Sequence, residues 1–303
     1  MIDQPVPILS NGGEPARMHL TIGGEHWSQY EADGGSARVR LAFDLDRLRD
    51  MMDLLSDGTS SGPVRTLELG AAPYLMTTAM LQAGYEVTVN GLPVDNYPRE
   101  GSLVVNDEVC GERRLTAQLF DIEERFPFDD ESFDIVVAGE VFEHLYRQPW
   151  VMLHEAHRCL AVGGMLVLST PNGHAIEYLH RWIRRTGTGL GFNPAAPSVR
   201  HAREYSVAEL REVTEASGFV VERLFTRSYT HVGADGFPGR LGPVKRRLAT
   251  MLRQRSERDT GFLGARGNTI LLTARKTSAI PVIPAFMQYA TAADSRTGYN
   301  FAL

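Results

Sequence analysis

The strongest constraint on the fold is an alternation of short apolar runs with helical patterns over residues 64–225. Each apolar run is about six residues long and ends at glycine, proline or a polar turn, as buried strands do. The segments between the runs place apolar residues at helical spacing. Strands that alternate with helices form right-handed βαβ units, in which helices cover both faces of a parallel sheet. The chain is therefore predicted to have an α/β fold, with strands at residues 64–69, 85–90, 133–138, 165–170, 219–225 and 269–274 and helices at residues 39–55, 76–83, 150–160 and 207–217.

The same pattern divides the chain into a domain with flanking segments. We expect residues 1–38 to form an N-terminal arm or lid, residues 39–278 the main domain and residues 279–303 a C-terminal tail. Two stretches, 173–204 and 227–268, interrupt the alternation after strand ends. Ligands of open α/β sheets bind at the carboxyl ends of the strands, so both stretches are interpreted as a cap over a substrate site. The mildly apolar tail packs either on a second subunit, giving a homodimer, or over its own cap.

Composition argues against several classes of protein. The 303 residues carry a net charge of −6, which offers no broad positive surface to a nucleic acid. No apolar run is long enough to cross a bilayer, and residues 1–16 lack the basic start and apolar stretch of a secretory signal. Two cysteines, Cys110 and Cys159, are too few for a disulfide framework. These features predict a cytoplasmic protein with no nucleic-acid partner and no transmembrane segment.

The first strand leads into a turn at residues 68–74 that lets the backbone approach a nucleotide-type ligand. The turn lacks the three-glycine fingerprint of dinucleotide-binding proteins, because Ala72 and Tyr74 stand where glycines are expected. A pyrophosphate would therefore fit poorly, whereas a cofactor without phosphate does not need that contact. Taken alone, the turn is also compatible with any Rossmann-like protein.

The motifs that follow the turn give it a sharper meaning. They are Asp121 with Ile122, an aspartate-rich segment before the strand at 133–138, an E-x-x-E-H motif at residues 140–144, and a glycine pair before the strand at 165–170. The glycine pair, Gly163 and Gly164, is expected to close the helix at residues 150–160. In this order the motifs resemble the class I S-adenosylmethionine-dependent methyltransferases over residues 67–225. The resemblance implies a Rossmann-like class I methyltransferase fold with a mostly parallel seven-stranded sheet, helices on both faces and cap insertions. It also implies S-adenosylmethionine as the cofactor.

Two further segments carry a narrower resemblance. Residues 201–210 and 267–276 are similar to a branch that is common among sugar and polysaccharide O-methyltransferases, of which the mycobacterial methylmannose-polysaccharide methyltransferases are one group. This resemblance implies a small-molecule or oligosaccharide acceptor whose hydroxyl group is methylated. An N- or C-methyltransferase of a secondary metabolite, a cofactor-binding scaffold without activity, and a nucleotide-cofactor oxidoreductase remain the alternatives.

The resemblance also implies which residues hold the cofactor. The Glu68 carboxylate suits the α-ammonium of the methionine end, and the backbone at Gly70 suits its carboxylate. Asn90 stands where the family usually has an acidic residue for the ribose, and an amide can still bond both hydroxyls. Asp121 should accept from the adenine amine. The cofactor-binding residues expected on this basis are Glu68, Gly70, Ala72, Asn90, Asp121, Ile122 and Glu140.

The acceptor chemistry points to histidine. A sugar hydroxyl is a weak nucleophile until its proton leaves, and imidazole titrates near neutrality. His144 is therefore expected to be the base, although it can instead brace its helix. Tyr205 is either a second catalytic residue or a packing residue. The expected catalytic residues are His144, Glu140 and Tyr205, and the expected substrate contacts are His201, Arg203 and Tyr30.

Several polar residues have competing interpretations. A divalent ion such as magnesium at Asp95, His144 and His201 is conceivable, but the sequence shows no tight ligand spacing. Glu143 is interpreted as a solvated helix residue, with a role as a second base as the alternative. Other polar residues have structural interpretations: His154 and His157 are placed on an exposed face, and Ser206 with Glu209 reads as a capping box.

Overall fold

The computed structural model describes residues 2–8, 16–22, 37–56, 64–71, 75–91, 101–105, 115–176, 178, 201–229, 251, 265–284 and 286–287. Its centre is an eight-stranded sheet, and a separate antiparallel hairpin precedes it. The strands are β1 (Ile2–Ile8), β2 (Ala16–Ile22), β3 (Arg65–Leu69), β4 (Glu86–Gly91), β5 (Gly101–Val105), β6 (Leu115–Leu119), β7 (Phe133–Gly139), β8 (Leu160–Pro171), β9 (Phe219–Arg227) and β10 (Thr269–Lys276). The helices are α1 (Ala37–Ser56), α2 (Leu75–Gln82), α3 (Pro149–Cys159), α4 (Val207–Ala216) and a single 3₁₀ turn at Phe142–His144.

The sheet has the order β5-β6-β4-β3-β7-β8-β10-β9. Strands β6, β4, β3, β7 and β8 pair in parallel, whereas β10 is antiparallel to both of its neighbours and β5 is antiparallel to β6. The predicted mostly parallel Rossmann-like sheet is therefore confirmed. Six of these strands were predicted from the sequence, whereas β5 and β6 were missed, and the sheet has eight strands where the family resemblance implied seven.

The central strands are buried on both faces, which explains their continuous apolar runs. Successive residues of β7 point to opposite sides, because Val136 and Ala138 join one apolar cluster while Ile135 and Val137 join the other. Helix α3 and helix α4 pack on the first cluster, and helices α1 and α2 pack on the second. The expected coverage of both faces by helices is therefore confirmed.

The boundaries of two helices show how the local sequence sets them. Helix α4 begins at a capping box in which the Ser206 hydroxyl accepts from the Glu209 backbone N–H and the Glu209 side chain accepts from the Ser206 N–H. This confirms the predicted capping box. Helix α3 starts with Pro149 at its first turn, where a missing N–H costs no hydrogen bond.

The prediction that the glycine pair closes helix α3 is wrong. The helix ends at Cys159, and the next residue, Leu160, is already extended and paired with Phe133 in the sheet. The register then shifts, so that Ile135 pairs with Met165 and the intervening residues of β8 bulge. A Cβ at Gly164 would lie 2.8 Å from a carbonyl oxygen. The glycine pair therefore allows the backbone of β8 to form this bulge.

Two predicted exposures also differ from the structure. His157 is buried, and its Nε2 lies 3.0 Å from the Thr277 carbonyl oxygen, because helix α3 packs against the segment after β10. His154 is half-buried, and burial lowers the pKa of both imidazoles. Among the described residues, no helix has the length and apolar character needed to cross a membrane.

Candidate active site

The site lies where the parallel strands β4, β3, β7 and β8 end side by side. Glu68 and Gly70 stand at the end of β3, Asn90 lies near the end of β4, and Glu140 follows β7 directly. Because these strands are neighbours in the sheet, residues that are far apart in the chain meet at one edge.

The turn after β3 contains a buried acid, Glu68, and a position, Gly70, that requires glycine. Glu68 is almost fully buried and accepts a short hydrogen bond from the Thr77 hydroxyl of α2. Burial raises the pKa of Glu68 to about 8, and the Thr77 hydrogen bond opposes that rise. Gly70 has a φ of +63°, and a Cβ there would lie 2.5 Å from a side-chain carbon of Val141. The turn therefore requires glycine for its conformation and for its space.

The amide of Asn90 is fully buried and is occupied by backbone. Its Oδ1 accepts from the Gly70 N–H at 3.3 Å, and its Nδ2 donates to the Phe120 carbonyl at 3.0 Å. The side chain thus links the ends of β3, β4 and β6. This arrangement favours a role in positioning the Gly70 turn over direct contact with a ribose, and the predicted ribose contact remains a prediction.

Asp121 and Ile122 follow β6 and differ in exposure. Ile122 is buried, whereas the Asp121 side chain is 41% exposed. One carboxylate oxygen of Asp121 accepts from the Glu123 N–H at 2.8 Å, and the other pairs with the Arg147 guanidinium. Arg147 also contacts the buried Glu123 carboxylate. The cluster fixes the Asp121 carboxylate at the edge where the adenine contact is predicted.

Glu140 adopts a left-handed backbone conformation, with a φ of +57°. This region is unfavourable for a residue with a side chain, and such strain concentrates at functional sites. The conformation is held by a hydrogen bond from the Glu140 N–H to the Ser169 carbonyl at 2.9 Å. The Glu140 carboxylate accepts from the Ser169 hydroxyl at 3.0 Å and lies 3.5 Å from the Arg47 guanidinium of α1.

Next to Glu140, the 3₁₀ turn places a buried carboxylate under two imidazoles. The Glu143 side chain is only 1% exposed, and its Oε2 accepts from the Thr170 hydroxyl at 3.0 Å. No hydrogen-bond donor in the described part of the chain reaches its Oε1. Burial, and secondarily the charge of Glu140, raise the pKa of Glu143 well above its ordinary value.

The two imidazoles belong to segments that are distant in sequence. His144 Nε2 lies 3.8 Å and His201 Nε2 4.0 Å from Glu143 Oε1, and the rings meet edge to face with centroids 5.1 Å apart. The Glu143 carbonyl accepts from the Ala202 N–H at 2.7 Å, which docks the His201 segment on the 3₁₀ turn. His144 and His201, predicted as base and substrate contact, are thus brought together. One ligand atom from each of Glu143, His144 and His201 lies within 4.8 Å of the other two.

Two other predicted site residues lie beside this cluster. Tyr205 is only 1% exposed and packs on Phe142, with ring centroids 4.7 Å apart, and burial raises its pKa to about 12. This surrounding favours the packing interpretation over a catalytic one. The Arg203 guanidinium pairs with Glu209 and lies over the rings of Tyr205 and Phe286, while 46% of its side chain stays exposed.

Three predicted residues, Ala72, Tyr30 and the metal candidate Asp95, lie outside the described residues. The sequence analysis also missed two residues of the cluster. Glu143 was interpreted as solvated, but it is buried because the 3₁₀ turn directs it beneath the His201 segment. Glu204 was not singled out, although its carboxylate lies 3.1 Å from His201 Nδ1. The E-x-x-E-H spacing was the available signal for Glu143, and no local pattern marked Glu204.

Comparison with known proteins agrees with this geometry. Residues 67–168 match the family model described as a methyltransferase domain. A curated Mycolicibacterium smegmatis protein, described as a probable S-adenosylmethionine-dependent methyltransferase, is 38% identical over 96 residues. The matched region is 32% of this chain and 32% of that protein, so the chain spans about a third of the length of the curated relative it matches.

Solved structures share the fold at low sequence identity. A chain from the Haloferax volcanii complex that contains the Trm112 methyltransferase activator has a TM-score of 0.50 and 19% identity, covering 85% of this chain and 100% of that chain. An S-adenosylmethionine-dependent methyltransferase from Archaeoglobus fulgidus has a TM-score of 0.50 and 14% identity, covering 78% and 94%. Residues 67–168 are therefore similar to a methyltransferase domain, and the chain shares the fold of the S-adenosylmethionine-dependent methyltransferases.

Proposed function

We propose that the chain transfers the methyl group of S-adenosylmethionine to a hydroxyl group of a sugar or oligosaccharide. The observation that carries this proposal is the pair of imidazoles, His144 and His201, held over the buried Glu143 at the carboxyl end of β7. The imidazoles are 25% and 28% exposed, so an acceptor can reach them from solvent. The cluster directly follows Glu140, where the resemblance to the family implies the methionine end of the cofactor.

The residues at the end of β3 fit the cofactor. Among the described residues, no charged side chain pairs with the buried Glu68 carboxyl group, so the α-ammonium of the cofactor would supply the counter-charge that stabilises its ionised form. Gly70 holds the left-handed turn beside Glu68, and it packs against Val141 where a side chain would not fit. When bound, the cofactor supplies a methyl group that its sulfonium centre already activates.

The acceptor oxygen must attack this methyl group in line with the carbon–sulfur bond. As the new carbon–oxygen bond forms, the carbon–sulfur bond breaks and its electron pair stays on sulfur. The hydroxyl proton must leave at the same time, and a suitably placed His144 Nε2 accepts it. General-base catalysis of this kind contributes roughly 10²–10⁴-fold in rate.

Polar groups near the cluster support a hydroxylated acceptor. The His201 segment that completes the cluster lies within residues 201–210, one of the two segments similar to the sugar and polysaccharide O-methyltransferase branch. The Arg203 guanidinium at its edge offers further donors to hydroxyl groups. A sugar presents several hydroxyl groups to such a surface, and we therefore propose a sugar as the acceptor.

The first experiment is calorimetric titration of the protein with S-adenosylmethionine and, separately, with NADH. We expect binding of S-adenosylmethionine alone, and its failure to bind would refute the proposal at its root. Sugar acceptors are then screened for release of S-adenosylhomocysteine.

Variants test the role of the imidazole. His144→Ala should lower the turnover number about 10²–10⁴-fold while leaving cofactor affinity nearly unchanged. His174→Ala, which alters an exposed imidazole outside the cluster, is the matched control. Near-normal turnover of the His144 variant would remove this residue from the chemistry.

A further inference from the structure

We propose that Glu143, His144 and His201 bind a divalent transition-metal ion through Glu143 Oε1 and the two histidine Nε2 atoms. The three residues come from the 3₁₀ turn after β7 and from the segment before α4. Glu143 Oε1 lies 3.8 and 4.0 Å from the two Nε2 atoms, and one ligand atom of each residue lies within 4.8 Å of the other two. The site stands on this geometry, whereas its part in methyl transfer rests on the proposed function.

The Glu143 carboxylate is the first argument. Its side chain is 1% exposed, and only one of its two oxygens, Oε2, has a donor in the described part of the chain. An unpaired carboxylate oxygen in a buried position is costly unless a cation or a donor neutralises it. The imidazole nitrogens at 3.8 and 4.0 Å are too far away to be hydrogen-bond donors to it. The space between these atoms is where a bound cation would compensate the buried oxygen.

The surroundings of His201 are the second argument. Its Nδ1 lies 3.1 Å from Glu204 Oε1, and the same oxygen accepts from the Tyr178 hydroxyl at 2.9 Å. An N–H at Nδ1 that donates to this carboxylate leaves the lone pair of His201 on Nε2, which faces Glu143. Metal-binding histidines usually have such a carboxylate behind them, because it fixes the tautomer and the ring orientation.

The distances fit an ion after a small adjustment. An ion about 2.0–2.2 Å from each ligand atom holds those atoms about 3.0–3.5 Å apart. The two separations from Glu143 Oε1, 3.8 and 4.0 Å, exceed this by about 1 Å or less, and the ligand atoms of the two imidazoles lie within 4.8 Å of each other. Rotation of two partly exposed imidazoles covers that difference, while the buried Glu143 stays in place.

The donor set selects the class of ion. Magnesium and calcium prefer oxygen ligands, whereas two imidazoles and one carboxylate suit zinc, cobalt, manganese or iron. The three ligands leave positions open, and an acceptor hydroxyl bound there would ionise more readily. With such an ion bound, the hydroxyl proton would pass to solvent, because His144 Nε2, the base proposed above for the metal-free protein, would be a ligand. Chelator sensitivity of turnover therefore separates this role from direct base catalysis.

The test uses cobalt(II) as the probe, with a full-length chain that lacks a histidine tag and has been stripped of metal by chelation. We expect one equivalent to bind and to produce a visible absorption band. His201→Ala and Glu143→Gln should each weaken cobalt binding at least tenfold, and His174→Ala should leave it unchanged. Glu204→Gln should weaken it about 10–100-fold, the usual effect of losing a carboxylate behind a ligand histidine.

Controls keep the outcome clear. Circular dichroism checks folding, and His201→Ala carries the test if Glu143→Gln unfolds, because His201 is partly exposed. Cobalt binding that is equal in the wild type and in His201→Ala would overturn the site, whether or not the chain transfers methyl groups. Zinc should displace cobalt and millimolar magnesium should not, and equal displacement by magnesium would overturn the assigned class of ion.

Discussion

The buried acid in the first turn makes folding stability depend on pH. Burial raises the pKa of Glu68 from an ordinary value of 4.5 to about 8 in the folded protein. Between these two values the folded state keeps a proton that the unfolded chain has released. Stability contributed by the neutral acid is therefore complete below the lower value and falls as the pH rises toward the higher one.

The loss can be estimated from the shift. Each pH unit inside this window costs about 1.4 kcal/mol of unfolding free energy. From pH 5 to pH 7 the wild type should therefore lose about 2–3 kcal/mol through Glu68 alone. Glu68→Gln keeps the size of the side chain and an oxygen for the Thr77 hydroxyl, but it has no proton to lose. Its unfolding free energy should lack this part of the decline.

The assay is urea unfolding, followed by circular dichroism at pH 5, 6, 7 and 8 without cofactor. The quantity of interest is the wild-type value minus the Glu68→Gln value at each pH, because other titrating groups are common to both proteins. Glu86→Gln, at the exposed start of β4, is the control and should leave the curve parallel to the wild type. Parallel curves for wild type and Glu68→Gln would refute the reasoning.

Three further predictions concern the strand ends and helix α4. Gly70→Ala should destabilise the fold by about 2–4 kcal/mol, combining left-handed strain with overpacking against Val141; adding Val141→Ala should recover only the packing part in urea unfolding. Asn90→Asp removes the donor to the Phe120 carbonyl and should cost about 1–3 kcal/mol or more; tighter S-adenosylmethionine binding in calorimetry would instead support direct ribose contact. Ser206→Ala removes the cap of α4 and should cost about 1 kcal/mol, and an unchanged urea midpoint would contradict this.

The strands that build the site were predictable because burial on both faces leaves a strong pattern. The run at β7 has apolar residues in successive positions, and the structure places them in both apolar clusters. The hairpin at β1 and β2, the edge strand β5 and its neighbour β6 were not predicted. An edge strand pairs on one side only, so its composition carries a weaker pattern.

The position of the glycine pair in β8 shows a different limit. A glycine after a helical pattern usually ends the helix, and the sequence supports that interpretation. Here the helix stops at Cys159 because Leu160 pairs at once with Phe133 in the sheet. Long-range pairing decided the boundary, and the glycines accommodate the resulting bulge.

The least predictable residues of the site are buried polar groups. Asn90 and Glu143 look like ordinary polar residues at strand ends in the sequence, where exposure is the common outcome. Both turn inward because each meets a partner from a distant segment: the Asn90 amide binds the Phe120 carbonyl, and the Glu143 carboxylate binds the Thr170 hydroxyl. Only the folded chain brings these partners together.

The different hydrogen bonding of Asn90 and Glu143 indicates where an acceptor could bind. The Asn90 amide is fully hydrogen-bonded to the backbone around the Gly70 turn. Both its donor group and its acceptor oxygen are therefore already paired with backbone. Glu143 keeps one buried oxygen without a donor among the described residues, and it faces two partly exposed imidazoles. The buried oxygen that can still accept a hydrogen bond or bind a cation therefore lies on the β7–β8 side, beneath the His201 segment. We therefore expect the proposed acceptor hydroxyl to bind there, with or without an ion, and variants of Glu204 or His201 should change acceptor turnover more than cofactor affinity.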